Sequence, residues 1–267
     1  MKKSFISFCA TWLVFLPAHA QFIEGAPFTA IANASVAINN VWAANNNPAG
    51  LSFLTKTIVA AGYENKFLTK EFSASSLILA LPFNKIVIGG SFQKYGIPDF
   101  SQIKTGISLS KSFGHTLSYG IRLNYHQINI TGYNNEKTFS ADCGIMYAIN
   151  KKIWLAASLG NISQESFKTI HDQTIDAYIK FGASILLNEK LTACSQIDKY
   201  TDNALDYRMG LDYKLLEILS LRGGLSFNTF RQYAGIGISH KKLVIDLAIS
   251  SHPVLSYSPQ IALAYEF

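Results

Sequence analysis

The sequence predicts an all-β fold, a closed antiparallel transmembrane β-barrel of about fourteen strands, preceded by a short N-terminal plug-like segment. Three observations predict it. Apolar and polar residues alternate strictly over one segment after another. The connections between these segments fall into a short class and a longer, more polar class. No later stretch reaches the roughly 18 consecutive apolar residues that a helical span requires.

Residues 1–20 are set aside first. Lys2 and Lys3 precede an apolar run from Phe5 to Leu16 that ends in Ala18-His19-Ala20, the pattern of a secretory signal with an A-x-A cleavage site. Losing Lys2 and Lys3 leaves a mature chain that is only mildly basic. The lysines considered, Lys56, Lys66, Lys70, Lys137, Lys168 and the pair Lys241-Lys242, fall in segments read as turns and loops. Nucleic acid selects a clustered basic face rich in arginine, which is absent, so no nucleic-acid partner is expected. Cys9 leaves with the signal and lacks a lipoprotein cleavage context. Cys143 and Cys194 lie in strand-like segments and make no disulfide framework. Without a CxxC or a histidine at ligand spacing, no metal or cofactor is expected. Hydrophobic residues reach 49% and charged residues only 15%, below the roughly 25% charge of soluble domains.

The alternation is clearest in Leu205-Asp206-Tyr207-Arg208-Met209-Gly210-Leu211-Asp212-Tyr213-Lys214, where odd positions are apolar and even ones polar or glycine. A strand places such residues on two faces; a helix cannot. Strands are expected near 57–63, 72–83, 85–94, 102–112, 116–128, 138–149, 151–161, 175–187, 190–198, 204–215, 218–228, 231–240, 242–251 and 258–267. The connections after the even strands are very short. Those after the odd strands are expected to be longer, at 64–71, 95–101, 129–137, 162–174, 199–203 and 251–257, with Thr229-Phe230 the exception. Outer-membrane barrels segregate their connections in this way, with the short turns in the periplasm.

In lipid every backbone polar group must be paired, so a sheet crosses only if it closes, with an apolar outside. That assigns Leu205, Tyr207, Met209, Leu211, Tyr213, Leu243, Ile245, Leu247 and Ile249 to lipid. Arg122, Asp142, Asp206, Arg208, Asp212, Arg222 and Asp246 face the lumen, where they are expected to form ion pairs. Tyr63, Phe83, Phe92, Tyr147, Tyr257 and Tyr265 suit interfacial girdles. The terminal run through Tyr265 and Phe267 resembles the C-terminal signal read by the barrel-insertion machinery. Pro82 and Gly223-Gly224 are candidate weak points in the wall.

Residues 21–56 do not alternate. Small residues are followed by Asn39-Asn40-Val41-Trp42-Ala43-Ala44-Asn45-Asn46-Asn47-Pro48-Ala49-Gly50-Leu51. Here the chain resembles the FadL-like outer-membrane barrels, particularly the PorV/PorQ-type group associated with type IX secretion. That group carries a similar stretch ending in Asn-Pro-Ala-Gly-Leu just before its first strand. The resemblance implies a fourteen-stranded barrel in the cell outer membrane, with Trp42, Asn45, Asn46, Asn47, Pro48, Ala49, Gly50 and Leu51 as the plug motif. The chain departs from FadL transporters in its smaller external loops and its charged lumen.

No catalytic constellation is expected. The histidines at 115, 126, 171, 240 and 252 stand in neither a GxSxG nor an HExxH context. His171-Asp172, the one adjacent acid–base pair, reads as solvated loop. The reading is therefore an accessory barrel in protein secretion. Its partners would be outer-membrane lipid and lipopolysaccharide, the insertion machinery, and secreted proteins or a secretion-complex component. The alternatives are a conduit for hydrophobic or small solutes gated by the N-terminal segment and, more remotely, an outer-membrane enzyme.

Overall fold

The computed structural model of the chain describes residues 22–133, 135–167, 175–201 and 203–267. Residues 1–20, expected to be a secretory signal, lie outside the described residues, as do Lys168 and His171-Asp172.

Strands occupy β1 (Ile58–Asn65), β2 (Ser73–Phe83), β3 (Ile86–Ile97), β4 (Phe100–Phe113), β5 (Leu117–Ile130), β6 (Glu136–Ala148) and β7 (Ile153–Gly160). They continue with β8 (Tyr178–Asn188), β9 (Leu191–Tyr200), β10 (Asp206–Leu216), β11 (Leu219–Ser226), β12 (Arg231–His240), β13 (Leu243–His252) and β14 (Ser256–Glu266). Each pairs antiparallel with its sequence neighbours, and β1 pairs with β14 to close the barrel, from Ile58 against Glu266 to Glu64 against Gln260. Every expected strand is present, with its ends within three residues of the expected positions. No helix among the described residues is long and apolar enough to cross a membrane, and the crossing falls to the strands.

Alternation dictates the wall. On β10, Tyr207, Met209 and Leu211 point outward at 49%, 54% and 51% exposure, while Arg208 between them is 9% exposed. The lipid-facing residues named above are exposed in the same way, except Ile245, which is half-buried. All six candidate girdle aromatics are exposed on the outer surface.

The connections differ from expectation at two places. Only Pro98 and Asp99 separate β3 from β4, and only Pro253, Val254 and Leu255 separate β13 from β14. The reason is that alternation is a signal of lipid on one face. Toward the loop end the alternation fades, yet Gly96 and Ser101 still pair. β4 and β5 run for 14 residues each, beyond the roughly 9–11 that a tilted strand needs to cross. Their far ends therefore stand clear of the hydrocarbon. Lys137, expected in a loop, lies on β6 for the same reason.

Pro82 is no weak point. The β1–β2 register begins at Ile58 opposite Ala80, so Pro82 lies beyond β1 and pairs only with Val87 of β3. Its missing N–H leaves no ladder partner unpaired on that side.

The outward assignment has a direct check. Nitroxides at Leu211 and Leu247 in lipid vesicles should be relaxed by oxygen and shielded from an aqueous nickel chelate; the reverse would invert the wall.

Candidate functional site: the lumen and the segment that fills it

Residues 22–55 precede β1 and pack against the inner wall, nearer the end with the short turns and the C-terminus. The fold of this segment follows from its small residues and its asparagines. Gly25 has φ +112, open to a residue without a side chain, and the Trp42 ring lies where its Cβ would be. Pro27 then starts a single helical turn, α1 (Ala26–Thr29), where its missing N–H costs nothing. Two 3-10 turns follow, Val41–Asn45 and Pro48–Leu51. Asn40 caps the first by accepting from Trp42 N at 3.2 Å, and Asn47 caps the second by accepting from Ala49 N at 3.1 Å.

Each residue of the plug motif has a distinct partner. Asn45 donates through Nδ2 to the Ile23 carbonyl at 2.9 Å and to Ser76 Oγ on β2 at 3.0 Å. Asn46 donates to Ser35 Oγ at 2.7 Å and accepts from Lys180 Nζ at 2.8 Å. Asn47 donates to the Val36 carbonyl at 2.8 Å. The carbonyls of Pro48 and Ala49 accept from Ser110 Oγ at 2.6 Å and Ser118 Oγ at 3.1 Å, on β4 and β5. Gly50 leaves no room for a side chain between the Ile38 carbonyl and Ala43. Trp42 and Leu51 are 1% and 0% exposed and anchor the apolar contact with Ala60, Ile78, Ala80 and Val87 of the wall.

The wall makes room with glycine. Gly62 of β1 lies under Trp42, Gly89 of β3 under Leu51, Gly120 of β5 under Pro48-Ala49 and Gly144 of β6 under Asn47. On the opposite side Gly182 of β8 meets Val36, Gly210 and Gly224 of β10 and β11 meet Ile31, and Gly235 of β12 meets Ala30. A Cβ at any of these would overlap the segment. Gly224, expected as a bend, is thus a seat for Ile31 and Ala32.

Ion pairs complete the contact, and they involve all seven of the lumen-facing residues named from sequence. Arg122 and Asp142, 2% and 3% exposed, pair across β5 and β6 through Nε at 2.9 Å and Nη2 at 2.5 Å. Arg122 Nη1 also donates to the Ala44 carbonyl of the segment. Arg208 Nε bonds Asp206 at 2.9 Å and lies 3.0 Å from Asp198, whose other oxygen accepts from Gln196 at 2.6 Å. Arg222 joins Asp212 at 2.9 Å and Asp246 at 2.5 Å.

Sequence reading did not single out three lumen residues, Lys180, Gln196 and Lys104, while His126 shares the polar face of its strand with Arg122 as alternation requires. Lys180 pairs with Glu24 of the segment at 2.6 Å, and Gln196 accepts from Val36 N at 2.7 Å. Lys104 and His126 also face inward, His126 bonded to Ser140 Oγ at 2.8 Å. Parity within the strand was the available signal, since Lys180 shares its face with Gly182 and Ser184, and Lys104 with Ser108 and Ser110. At the other terminus the Tyr265 and Phe267 rings pack 5.0 Å apart on the outer surface, and Phe267 N donates to the Thr57 carbonyl at 2.9 Å.

No protein-family model matches the sequence, and no curated protein matches it. Solved structures do. The Ralstonia pickettii toluene transporter TbuX superposes with a TM-score of 0.71 at 11% identity, over 91% of this chain and 98% of that one. The Pseudomonas putida toluene transporter TodX gives 0.67 at 12% identity, over 91% and 96%. A Pseudomonas aeruginosa FadL homologue gives 0.65 at 13% identity, over 91% and 98%. The chain has the fold of the FadL-type outer-membrane barrels. Two of these three structures are of toluene transporters.

Two substitutions test the fit of segment to wall. Gly120→Val would place side-chain atoms where Pro48 and Ala49 lie, the Cβ alone 2.6 Å from Ala49 N. It should lower unfolding stability in lipid by about 1–3 kcal/mol, whereas Gly90→Val, with open space around it, should be neutral. Arg122→Ala strands Asp142 in a buried site and should cost about 3–5 kcal/mol by urea titration.

Proposed function

We propose that the chain is an outer-membrane conduit for small or hydrophobic solutes, with residues 22–55 as its gate. The observation that carries this is how the segment is held. It occupies the lumen through hydrogen bonds, the Glu24–Lys180 ion pair and the apolar contact of Trp42 and Leu51, in glycine seats along a wall whose strands pair all the way round without it. The shared fold with two toluene transporters supports the same reading. The secretion-accessory role expected from the Asn-Pro-Ala-Gly-Leu motif has no such support, so the conduit takes precedence over it. The outer surface suits lipid and lipopolysaccharide, and exposed Tyr265 and Phe267 suit recognition by the insertion machinery.

The gate is tested in liposomes. Deleting residues 25–50 should raise solute flux. A disulfide between cysteines at Ala37 and Ser184, whose hydroxyl donates to the Ala37 carbonyl at 2.8 Å, should abolish flux in a variant lacking Cys143 and Cys194 until reductant is added. Flux indifferent to both changes would overturn the gate.

A further inference from the structure

The outer part of the lumen holds a cation that, among the described residues, no carboxylate contacts directly. Lys104 faces inward from β4, and among the described residues its ammonium makes no hydrogen bond or ion pair. The nearby carboxylates are committed elsewhere. Asp142 takes two bonds from Arg122, one from Asn124 at 2.8 Å and one from Asn161 N at 2.9 Å. Glu24 is held by Lys180.

Unsatisfied acceptors surround the same spot. Gln93 stands opposite Lys104 in the β3–β4 register, and His126 stands opposite it in β4–β5. Gln93 is 3% exposed and Asn124 1% exposed, and among the described residues neither Gln93 Oε1 nor Asn124 Oδ1 has a hydrogen-bond partner. Asn124 Oδ1 lies over Gly106, the next inward residue of β4, 3.0 Å from where a Cβ would sit. A buried acceptor left unpaired is unfavourable unless something donates to it. The three groups together ask for an anion beside two donors.

We propose that Gln93, Lys104 and Asn124 form a recognition site for a hydroxylated carboxylate, a sugar-acid type of solute. The carboxylate sits on the Lys104 ammonium, and hydroxyls donate to Gln93 Oε1 and Asn124 Oδ1. This rests on the conduit reading and narrows its solute class. A hydrocarbon satisfies none of the three groups, and the apolar side chains clustered around Trp42 and Leu51 are already packed between segment and wall.

The test is calorimetric titration of the detergent-solubilised full chain with gluconate, its neutral relative sorbitol, and toluene. Gluconate should bind more tightly than sorbitol and lose affinity as salt rises; toluene should give no heat. Lys104→Gln should weaken gluconate at least tenfold and leave sorbitol nearly unchanged, and Lys104→Arg should restore gluconate binding. Gln93→Leu should weaken both polyols. Native migration of the unheated barrel on a gel verifies each variant's fold. Gluconate bound no better than sorbitol, toluene bound in its place, or affinity indifferent to Lys104→Gln and Gln93→Leu would overturn the proposal. Binding needs no passage through the barrel, so gluconate binding without liposome flux retires the conduit and keeps the site, while flux without binding does the opposite.

Discussion

Hydrocarbon offers no hydrogen bonds, and the rest of this structure depends on that. Every N–H and C=O of a membrane-spanning strand needs a partner on each side, which here forces β1 onto β14 and leaves no free edge at the seam. Closure then fixes two surfaces of opposite character. The outside takes the side chains that water rejects, and the inside must accommodate what remains. A strand shifted by one residue would exchange the two sets, so the Ile58–Glu266 register is specified by the whole length of the wall.

The inside is polar, narrow and crowded. Burying an arginine is costly unless its charge is matched and its remaining donors find acceptors, and the lumen meets both needs with Asp142 and the Ala44 carbonyl for Arg122. The N-terminal segment is therefore part of the electrostatic solution: its carbonyls and Glu24 supply acceptors that the strands do not. Its small residues fit because the wall opposite them has given up its own side chains.

The barrel was legible because alternation is a property of consecutive residues. Leu205 through Lys214 declare both faces of β10 with no knowledge of their neighbours. Arg122, Asp142 and Asp246 were found by the same parity. The seats for the segment were not, because Gly62, Gly120 and Gly182 meet Trp42, Pro48-Ala49 and Val36 only once the segment lies against the wall, and a glycine in a strand reads equally as a bend. Lys104 and Lys180 fell inside expected strands but were not singled out, since composition does not tell a solvated ammonium from an enclosed one. The Asn-Pro-Ala-Gly-Leu run was visible as a motif, while its partners lay far along the chain or in the segment's own fold: Ser110 and Ser118 on β4 and β5 for Pro48 and Ala49, the Val36 carbonyl for Asn47, the Ile38 carbonyl against Gly50, and apolar wall residues for Leu51.

The glycine seats also set an order of events. The strands that receive residues 22–55 run from β1 to β12, and the ion-paired and apolar partners extend the contact from Ala60 on β1 to Ala262 on β14. Residues 22–55 come before every strand in the sequence, yet their seat is complete only when the first and last strands have met. Short of closure, Phe28, Trp42 and Leu51 lack part of the apolar cover that the finished cylinder gives them.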